Sequence, residues 1–257
     1  MTLFDLSGKT ALVTGSTKGI GKAIAIRLAE HGANVVICSR KVDACESVSR
    51  EINQEWAKDG ATAFPIPCNI QHKDQLQSLV DDTLERFGQI DILVCNAAVN
   101  PYFGPSIDTP DDAFDRTMES NIRSNFWLCN MVLPQMVEQK DGSITLISSI
   151  GGIRGRPQIG IYGISKAADM QIARNFAVEY GPDNIRVNCI APGLVRTDFA
   201  RALWENPEIL KERTATTPLR RIGEPDEIAG AVVFLASRGG TFVTGETLVI
   251  DGGVTII

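Results

Sequence analysis

The stretch KTALVTGSTKGIGKAIAIRLAEH, residues 9–31, combines a short apolar run, a glycine turn and an amphipathic run at helical spacing. It predicts a strand over residues 9–14 and a helix over residues 22–31. The turn between them holds three glycines, Gly15, Gly19 and Gly21. Glycine permits a tight turn and lets the backbone approach a phosphate at a helix N-terminus. The spacing is G-x-x-x-G-x-G rather than the G-x-G-x-x-G dinucleotide fingerprint, but its place between strand and helix favours a phosphate-binding unit.

Beyond this unit, apolar runs of strand length alternate with amphipathic runs of helical length. Strands are predicted at residues 9–14, 33–38, 62–68, 91–95, 143–149, 185–190 and 246–250. Helices are predicted at residues 22–31, 42–58, 73–87, 111–137, 159–180 and 224–237. The alternation is typical of an α/β Rossmann fold, a doubly wound parallel sheet of about seven strands with helices on both faces. We expect a single domain over residues 1–257, with the ligand-binding strand ends brought to one edge.

Composition and charge restrict the class of protein. With 257 residues and 44% hydrophobic content, the chain can bury a large core. Its net charge of −6 argues against a nucleic-acid partner, because phosphate neutralisation needs clustered Lys and Arg. No apolar run reaches the ~20 residues that span a bilayer, and MTLFDLSGKT lacks a basic region followed by an apolar one. We therefore expect a cytoplasmic protein with no membrane partner.

The potential metal ligands are scattered. The six cysteines show no C-x-x-C pair, and four of them lie in or at the end of strand-like runs: they are Cys38, Cys45, Cys68, Cys95, Cys129 and Cys189. This distribution is typical of buried free thiols in a reducing compartment. His31 and His72 lie far apart with no ligand spacing around them, so no metal site is predicted.

The stretch ISSIGGIRGRPQIGIYGISK, residues 147–166, carries a candidate acid/base pair. Tyr162 and Lys166 are four residues apart, so on a helix both side chains project from one face. A nearby fixed positive charge lowers the pKa of a phenol from its usual value near ~10, and the pair can then exchange protons near neutral pH. Ser149, at the preceding strand end, could hydrogen-bond the same substrate oxygen.

The residues after the second predicted strand indicate which dinucleotide, NADP or NAD, the chain would prefer. In a dinucleotide-binding unit, an acid at this strand tip takes the ribose hydroxyls, whereas an Arg accommodates a 2′-phosphate. This chain has Ser39, Arg40 and Lys41 there, and Lys18 lies within the glycine turn. Arg40 and Lys18 could clamp a phosphate from two sides, which favours NADP over NAD. The alternative is that both are ordinary solvated charges.

Two further features concern the substrate and a helix. Apolar residues in the segment 194–218, namely Phe199, Leu203, Trp204 and Leu210, are compatible with a substrate lid or with a helix packed on the core.

Asn121 lies inside a predicted helix, where the helix propensity of asparagine is low. We expect it either to be solvated or to disturb the helix and offer its carbonyl to a water.

Taken together, these motifs resemble the short-chain dehydrogenase/reductase family over essentially the whole chain. The matching residues are Thr14 to Gly21 (TGSTKGIG), Asn96-Ala97-Ala98, Asn121, Ser149, Tyr162, Lys166, Pro192-Gly193 and Thr197. The stretches NAAVNPYFG, RVNCIAPGLVRT and LRRIGEP, with the pair Leu203-Trp204, are similar to the NADP-dependent carbonyl and retinal reductases of peroxisomal type. The C-terminal VTII is not a peroxisomal SKL signal, so a cytoplasmic relative is expected.

The resemblance implies roles for individual residues. Tyr162 would donate a proton to a carbonyl, Lys166 would lower its pKa and hold the nicotinamide ribose, and Ser149 would orient the carbonyl. Asn121 would hold a water that links Lys166 to solvent. The implied contacts of the preferred cofactor, NADP(H) rather than NAD(H), are Gly15, Thr17, Lys18, Gly19, Ile20, Gly21, Ser39, Arg40, Asn69, Ile70, Asn96, Ala97, Tyr162, Lys166, Pro192, Gly193, Val195 and Thr197. Family members are commonly homotetramers, with the Tyr162 helix at one interface and the C-terminal strand at another.

The sequence departs from the family pattern at two positions. Ala98 stands where the family commonly has glycine, and Asn69 stands where an aspartate often contacts adenine. The leading hypothesis remains an NADP(H)-dependent reductase of a small apolar ketone, aldehyde or dicarbonyl, or an alcohol dehydrogenase running the reverse reaction.

Two alternatives stay open. A 3-oxoacyl-carrier-protein reductase shares the catalytic residues and would need a basic surface at the mouth of the site. Arg154, Arg156, Arg196, Arg201 and Arg220 could supply that surface. A protein of another class, which senses a dinucleotide without catalysis, would usually lack the Tyr or the Lys.

Overall fold

Strands and helices alternate along the computed structural model, which describes residues 2–257. Over these residues the strands are β1 Thr10–Thr14, β2 Asn34–Cys38, β3 Ala63–Pro65, β4 Ile92–Cys95, β5 Gly142–Ile147, β6 Ile185–Pro192 and β7 Thr247–Ile250. The helices are α1 Gly19–Glu30, α2 Val42–Glu55, α3 Lys73–Phe87, α4 Asp111–Met118, α5 Ser124–Gln139, α6 Gly160–Tyr180, α7 Arg201–Trp204, α8 Pro207–Thr216 and α9 Pro225–Ala236. The predicted alternation is confirmed.

Within the described residues, the strands form one parallel sheet in the order β3-β2-β1-β4-β5-β6-β7. The chain first builds outward from β1 through β2 to β3 and then returns to the other side of β1 with β4. Ala11 of β1 therefore lies between Val35 of β2 and Ile92 of β4. This reversal creates a crevice at the carboxyl ends of β1 and β4, which is where doubly wound sheets bind ligands.

Helices cover both faces of the sheet because its strands are apolar on both sides. Leu12 of β1 belongs to the buried cluster that contains residues of α3, α5 and α6. Its neighbours Ala11 and Val13 belong to the opposite cluster, with residues of α1, α2 and α9. Successive side chains of one strand thus enter two different cores, as the pleat requires. The α/β Rossmann prediction is confirmed for a single domain.

Several element boundaries differ from the predicted ones. The third strand was expected over residues 62–68 and covers only Ala63–Pro65. Pro65 and Pro67 have no N–H to donate to a ladder, which accounts for its early end. The helix expected over residues 111–137 is interrupted by a π-helical turn at Glu119–Arg123. Over residues 2–257, no helix is both long enough and apolar enough to cross a membrane.

Candidate active site

The crevice between β1 and β4 is held together by Asn96. Its Nδ2 donates to the carbonyl oxygens of Thr14, at 2.9 Å, and Gly15, at 3.2 Å. The Thr14 hydroxyl accepts the backbone N–H groups of Asn96 and Ala97 at 3.0 and 3.1 Å. Two predicted cofactor-binding stretches are thereby joined at the edge of the sheet where the prediction placed them.

The glycine turn forms a cradle at the start of α1. The helix begins at Gly19, three residues earlier than expected, and no side chain of the described residues caps it at Lys18. A Cβ on Gly21 would lie 2.3 Å from the Gly15 oxygen, so only glycine fits there. Because no side chain caps the helix, the first N–H groups of α1 are free to bind a ligand at the positive end of the helix dipole. This geometry suits the pyrophosphate of a dinucleotide.

A loop after β6 closes the other side of this cradle. The Gly193 N–H donates to the Ile250 oxygen at 2.9 Å, and Val195 forms a parallel bridge with Gly223. These contacts bring Thr197 against the glycine turn, where a Cβ added to Gly19 would lie 3.1 Å from its Cγ2. The predicted residues Pro192 to Thr197 therefore lie beside the glycine cradle.

Asn121 lies inside the π-helical turn and binds two other segments. It is fully buried. Its Oδ1 accepts the Val99 N–H at 2.8 Å, and its Nδ2 donates to the Val99 oxygen at 3.0 Å and to the Ser165 hydroxyl at 3.0 Å. The expected disturbance of the helix is therefore confirmed. The Asn121 carbonyl, which we expected to face a water, accepts the Asn125 amide at 2.7 Å.

Tyr162 and Lys166 share one face of α6, as the spacing predicted. The Lys166 Nζ lies 5.8 Å from the centroid of the Tyr162 ring. Lys166 is 2% exposed and donates to the Ile147 oxygen at 2.9 Å. Ser149 follows the end of β5, and its hydroxyl accepts the Gly151 N–H at 3.0 Å. These three side chains meet at the carboxyl edge of the sheet.

Burial and charge act in opposite directions on the Tyr162 phenol. Burial raises its pKa, and the Asp169 carboxylate adds to that rise. The Lys166 charge and the hydrogen-bonding Ser149 side chain lower the pKa, and the net shift is upward. The sequence correctly predicted the direction of the lysine effect but not its outcome, because burial disfavours the charged phenolate more strongly.

Comparisons with known proteins now identify the family. Residues 15–255 match the family model described as Enoyl-(Acyl carrier protein) reductase. Dehydrogenase/reductase SDR family member 4 of Bos taurus is 40% identical over 248 residues, covering 96% of this chain and 88% of that protein. The chain belongs to the short-chain dehydrogenase/reductase family.

Solved structures of other family members are similar over almost the whole chain. A 7α-hydroxysteroid dehydrogenase, complexed with NADH and 7-oxo glycochenodeoxycholic acid, is 38% identical with a TM-score of 0.92, covering 98% of this chain and 96% of that one. A gluconate 5-dehydrogenase from Burkholderia cenocepacia, in complex with NADP and tartrate, is 32% identical with a TM-score of 0.94, covering 99% and 98%. This short-chain dehydrogenase/reductase is therefore an oxidoreductase whose relatives bind nicotinamide dinucleotides.

The two cations predicted to clamp a 2′-phosphate differ in their contacts in this family member. Lys18 Nζ lies 3.2 Å from an Asp198 carboxylate oxygen, and both side chains are exposed. Arg40 is also exposed and, within residues 2–257, has no carboxylate at ion-pair distance. A clamp on a 2′-phosphate would therefore share the three N–H donors of Lys18 with Asp198 or displace that carboxylate.

The predicted cofactor contacts Ser39, Asn69 and Ile70 lie where β2 and β3 end. The Cys68 N–H donates to the Ser39 oxygen at 2.9 Å, which joins the two strand ends. Asn69 Oδ1 accepts the Gln71 N–H at 3.3 Å, and Ile70 is half-buried beside it. The predicted residues Ser39, Asn69 and Ile70 therefore lie on the expected edge, with the Asn69 side chain engaged in its own loop.

The segment predicted as a lid places one aromatic ring, that of Phe199, near the Tyr162 ring. It contains α7 and α8, neither of which has a buried residue, so the alternative of a core-packed helix is not supported. The Phe199 ring is 58% exposed, and its centroid lies 6.1 Å from that of the Tyr162 ring. Trp204 Nε1 donates to the Thr197 oxygen at 2.8 Å, which joins α7 to the loop after β6.

Sequence reasoning missed Asp169 of α6. Its carboxylate lies 3.0 Å from Lys166 Nζ, with the two side chains 0% and 2% exposed. Asn125 Nδ2 donates to the other carboxylate oxygen at 3.1 Å. The sequence did contain a signal for it. Asp169 follows Tyr162 by seven residues and shares the four-residue spacing of Ile161, Ser165 and Ala173, so it lies on the buried face of α6.

Proposed function

We propose that this protein is an NADP(H)-dependent carbonyl reductase, or an alcohol dehydrogenase running the reverse reaction, in the subgroup of carbonyl and retinal reductases of peroxisomal type. Its substrate class would be small apolar ketones, aldehydes or dicarbonyls. The observation that carries the proposal is the meeting of Tyr162, Lys166 and Ser149 beside the glycine cradle of α1. The whole-chain similarity to reductases and dehydrogenases supports it.

Side chains of this protein would transfer the proton to or from the substrate oxygen. When bound, the nicotinamide would supply hydride to the carbonyl carbon or accept it from the alcohol. Tyr162 would donate its phenolic proton to the carbonyl oxygen, while the Ser149 hydroxyl hydrogen-bonds the same oxygen. Lys166 would stabilise the resulting phenolate by its charge. Because burial raises the pKa of Tyr162, the phenol stays protonated at neutral pH, which suits carbonyl reduction.

The test replaces the proposed acid. Tyr162→Phe should abolish NADPH-dependent carbonyl reduction while NADPH binding, measured by fluorescence titration, stays largely intact. Tyr180→Phe, at the far end of the same helix, is the matched control and should keep full activity. If Tyr162→Phe retains turnover, Tyr162 is not the acid and the proposed function is wrong.

We propose a preference for NADP(H) over NAD(H) because Arg40 follows β2 and is exposed without a carboxylate partner among residues 2–257. Arg40→Asp should weaken NADPH binding by roughly 1 to 3 kcal/mol, the size of lost charge-assisted hydrogen bonds, and relatively favour NADH. Arg50→Asp, on the exposed surface of α2, is the control and should leave both affinities unchanged. A wild-type protein that already prefers NADH would contradict the assignment.

The lining of the mouth supports an apolar substrate. Phe199 and Trp204 belong to the segment predicted as a lid, and Phe103 of the loop after β4, 52% exposed, is our proposed third lining residue. Rates with purified protein and NADPH on ketones, aldehydes, quinones and acyl thioesters would test the substrate class. Turnover restricted to polar carbonyl compounds would contradict it.

A specific observation keeps the 3-oxoacyl-carrier-protein reductase as a second candidate. Two of the arginines proposed for a basic mouth, Arg196 and Arg201, are paired with carboxylates. Arg156 is exposed and has no carboxylate at ion-pair distance within residues 2–257, and partial desolvation and the nearby charges of Arg213 and Arg154 lower the pKa of its guanidinium. Such a group of like charges favours an anionic carrier. Faster reduction of acetoacetyl thioesters than of free ketones would support this candidate.

We also propose a cytoplasmic homotetramer. Large apolar side chains are exposed on α5 and α6, where Phe126, Ile164 and Val178 are 47%, 59% and 82% exposed, and Phe242 near β7 is fully exposed. Faces of this kind support association. Analytical ultracentrifugation should give tetramers that Val178→Glu dissociates. The described cysteines are free and buried, as suits a reducing compartment, which cell fractionation would test.

A further inference from the structure

A chain of buried polar contacts extends behind Lys166, away from the crevice. Lys166 Nζ donates to Asp169 Oδ2 at 3.0 Å and to the Ile147 oxygen at 2.9 Å. Asp169 Oδ1 accepts Asn125 Nδ2 at 3.1 Å, and the same amide donates to the Asn121 carbonyl at 2.7 Å. The lysine is thus connected through an acid and an amide to the π-helical turn of Asn121.

These contacts leave the Lys166 ammonium with few free hydrogen-bond donors. An ammonium group has three N–H donors, and two of them are taken by Asp169 and Ile147. One donor remains for the side where Tyr162 lies. The pair is also expensive to bury, since a buried ion pair is often no more stable than apolar residues of similar volume. The stability of the fold alone therefore gives little reason for a buried carboxylate at position 169.

We propose that Asp169, held by Asn125, is a positioning residue that fixes the Lys166 ammonium and partly offsets its charge, so that Tyr162 remains a proton donor up to alkaline pH. The proposal rests on the proposed function, in which Tyr162 exchanges the proton. Asp169 acts through Lys166 and lies behind it, so we assign it no contact with substrate.

The other titratable groups around the pair are thiols and a distant cation. Cys95 of β4, Cys129 of α5 and Cys189 of β6 surround it, and burial contributes to the raised pKa of Cys95 and of Cys189, so both thiols stay uncharged. Arg174, further along α6, acts on Cys189 and is exposed. Asp169 is thus the acid that faces Lys166.

The ion pair keeps Lys166 charged. Burial alone would lower the pKa of Lys166, but its contacts with Asp169 and Tyr162 outweigh burial and raise it. Burial raises the pKa of the Asp169 carboxyl, which Lys166 and the Asn125 amide oppose. An amide at position 169 would leave the lysine charge unbalanced, and the phenolate of Tyr162 would then form at lower pH.

The experiment measures the pH dependence of kcat/KM for alcohol oxidation, a direction in which Tyr162 must be deprotonated. Wild type should show one ionisation that Asp169→Asn lowers by about one pH unit, the shift expected for removing a nearby like charge. Asp91→Asn is the matched control, since Asp91 is a buried acid 3.0 Å from Lys9 at the opposite end of the sheet. Its profile should coincide with that of wild type.

An active Asp169→Asn enzyme with an unchanged ionisation would overturn the proposal. If that variant does not fold, Asn125→Ala removes the amide but keeps both charges. Without the amide, the Asp169 carboxylate is held less closely against Lys166 and offsets less of its charge, so the Tyr162 ionisation should fall below that of wild type; no shift, or a rise, would overturn the proposal. Turnover by Tyr162→Phe would instead refute the proposed function, so the two failures are distinguishable.

Discussion

Replacing Asn121 by alanine tests whether this residue holds the active-site segments together. Alanine would remove three hydrogen bonds, two with the backbone of Val99 and one with the Ser165 hydroxyl. The Ser165 hydroxyl would still donate to the backbone carbonyl oxygen of Tyr162 at 2.7 Å, so the loss of its bond from Asn121 costs little. The N–H and the carbonyl of Val99, which is half-buried, would both lose their partner.

The expected cost follows from these two groups. An unsatisfied buried donor or acceptor costs about 1–3 kcal/mol, and partial access of water to Val99 reduces this. We expect Asn121→Ala to lower the free energy of unfolding by about 2–4 kcal/mol. In a chain of this size that corresponds to a fall in Tm of about 2–4 °C per kcal/mol.

The assay is urea unfolding followed by circular dichroism at one protein concentration, because association would otherwise change the apparent stability. Asn130→Ala is the control. Asn130 lies on α5, the helix that follows the π-helical turn, is exposed and makes one side-chain bond, to the Phe126 oxygen at 2.7 Å. It should change stability by less than about 0.5 kcal/mol. If Asn121→Ala costs no more than this control, the reasoning about Asn121 is refuted.

Two further predictions concern the acid stability and the cofactor cradle. The Arg221 guanidinium and the Glu224 N–H lower the pKa of Glu227 to about 2 from an ordinary 4.5. Its stabilising effect is therefore present above about pH 4.5 and lost as the pH falls towards about 2, and Glu227→Gln should flatten that part of a stability profile measured by denaturant unfolding. Gly21→Ala should lower NADPH affinity at least about tenfold by calorimetry, because its Cβ would meet the Gly15 oxygen at 2.3 Å. Gly230→Ala, in a helix position with nothing within 4 Å, should leave binding unchanged; equal affinities in the two variants would contradict the cradle.

The order of elements and the edge that carries the site could be predicted from local patterns. Strand-length apolar runs such as residues 33–38 and the glycine turn before α1 are readable because their periodicity and their turn chemistry act over a few residues. The spacing of Tyr162 and Lys166 likewise defines one helix face. These predictions hold because neighbours in sequence determine them.

Other features depend on residues that are distant in sequence. The Lys18–Asp198 pair joins positions 180 residues apart, so no local pattern indicates that Lys18 is engaged. The π-helical turn at Asn121 arises where its amide bonds Val99 and Ser165, on two other segments. The balance of burial and charge on Tyr162 also requires knowing what surrounds it.

By itself, the sequence determined the layered α/β fold, the crevice edge and the residues that meet there, because hydrophobic period, glycine placement and helical spacing are short-range properties of the chain. Only the tertiary structure decided which partners those residues have. Asp169 behind Lys166, Asn121 between two loops and Phe199 over Tyr162 are contacts between separate elements. Burial and electrostatic interaction depend on distances in space, and these are set when helices pack on the sheet.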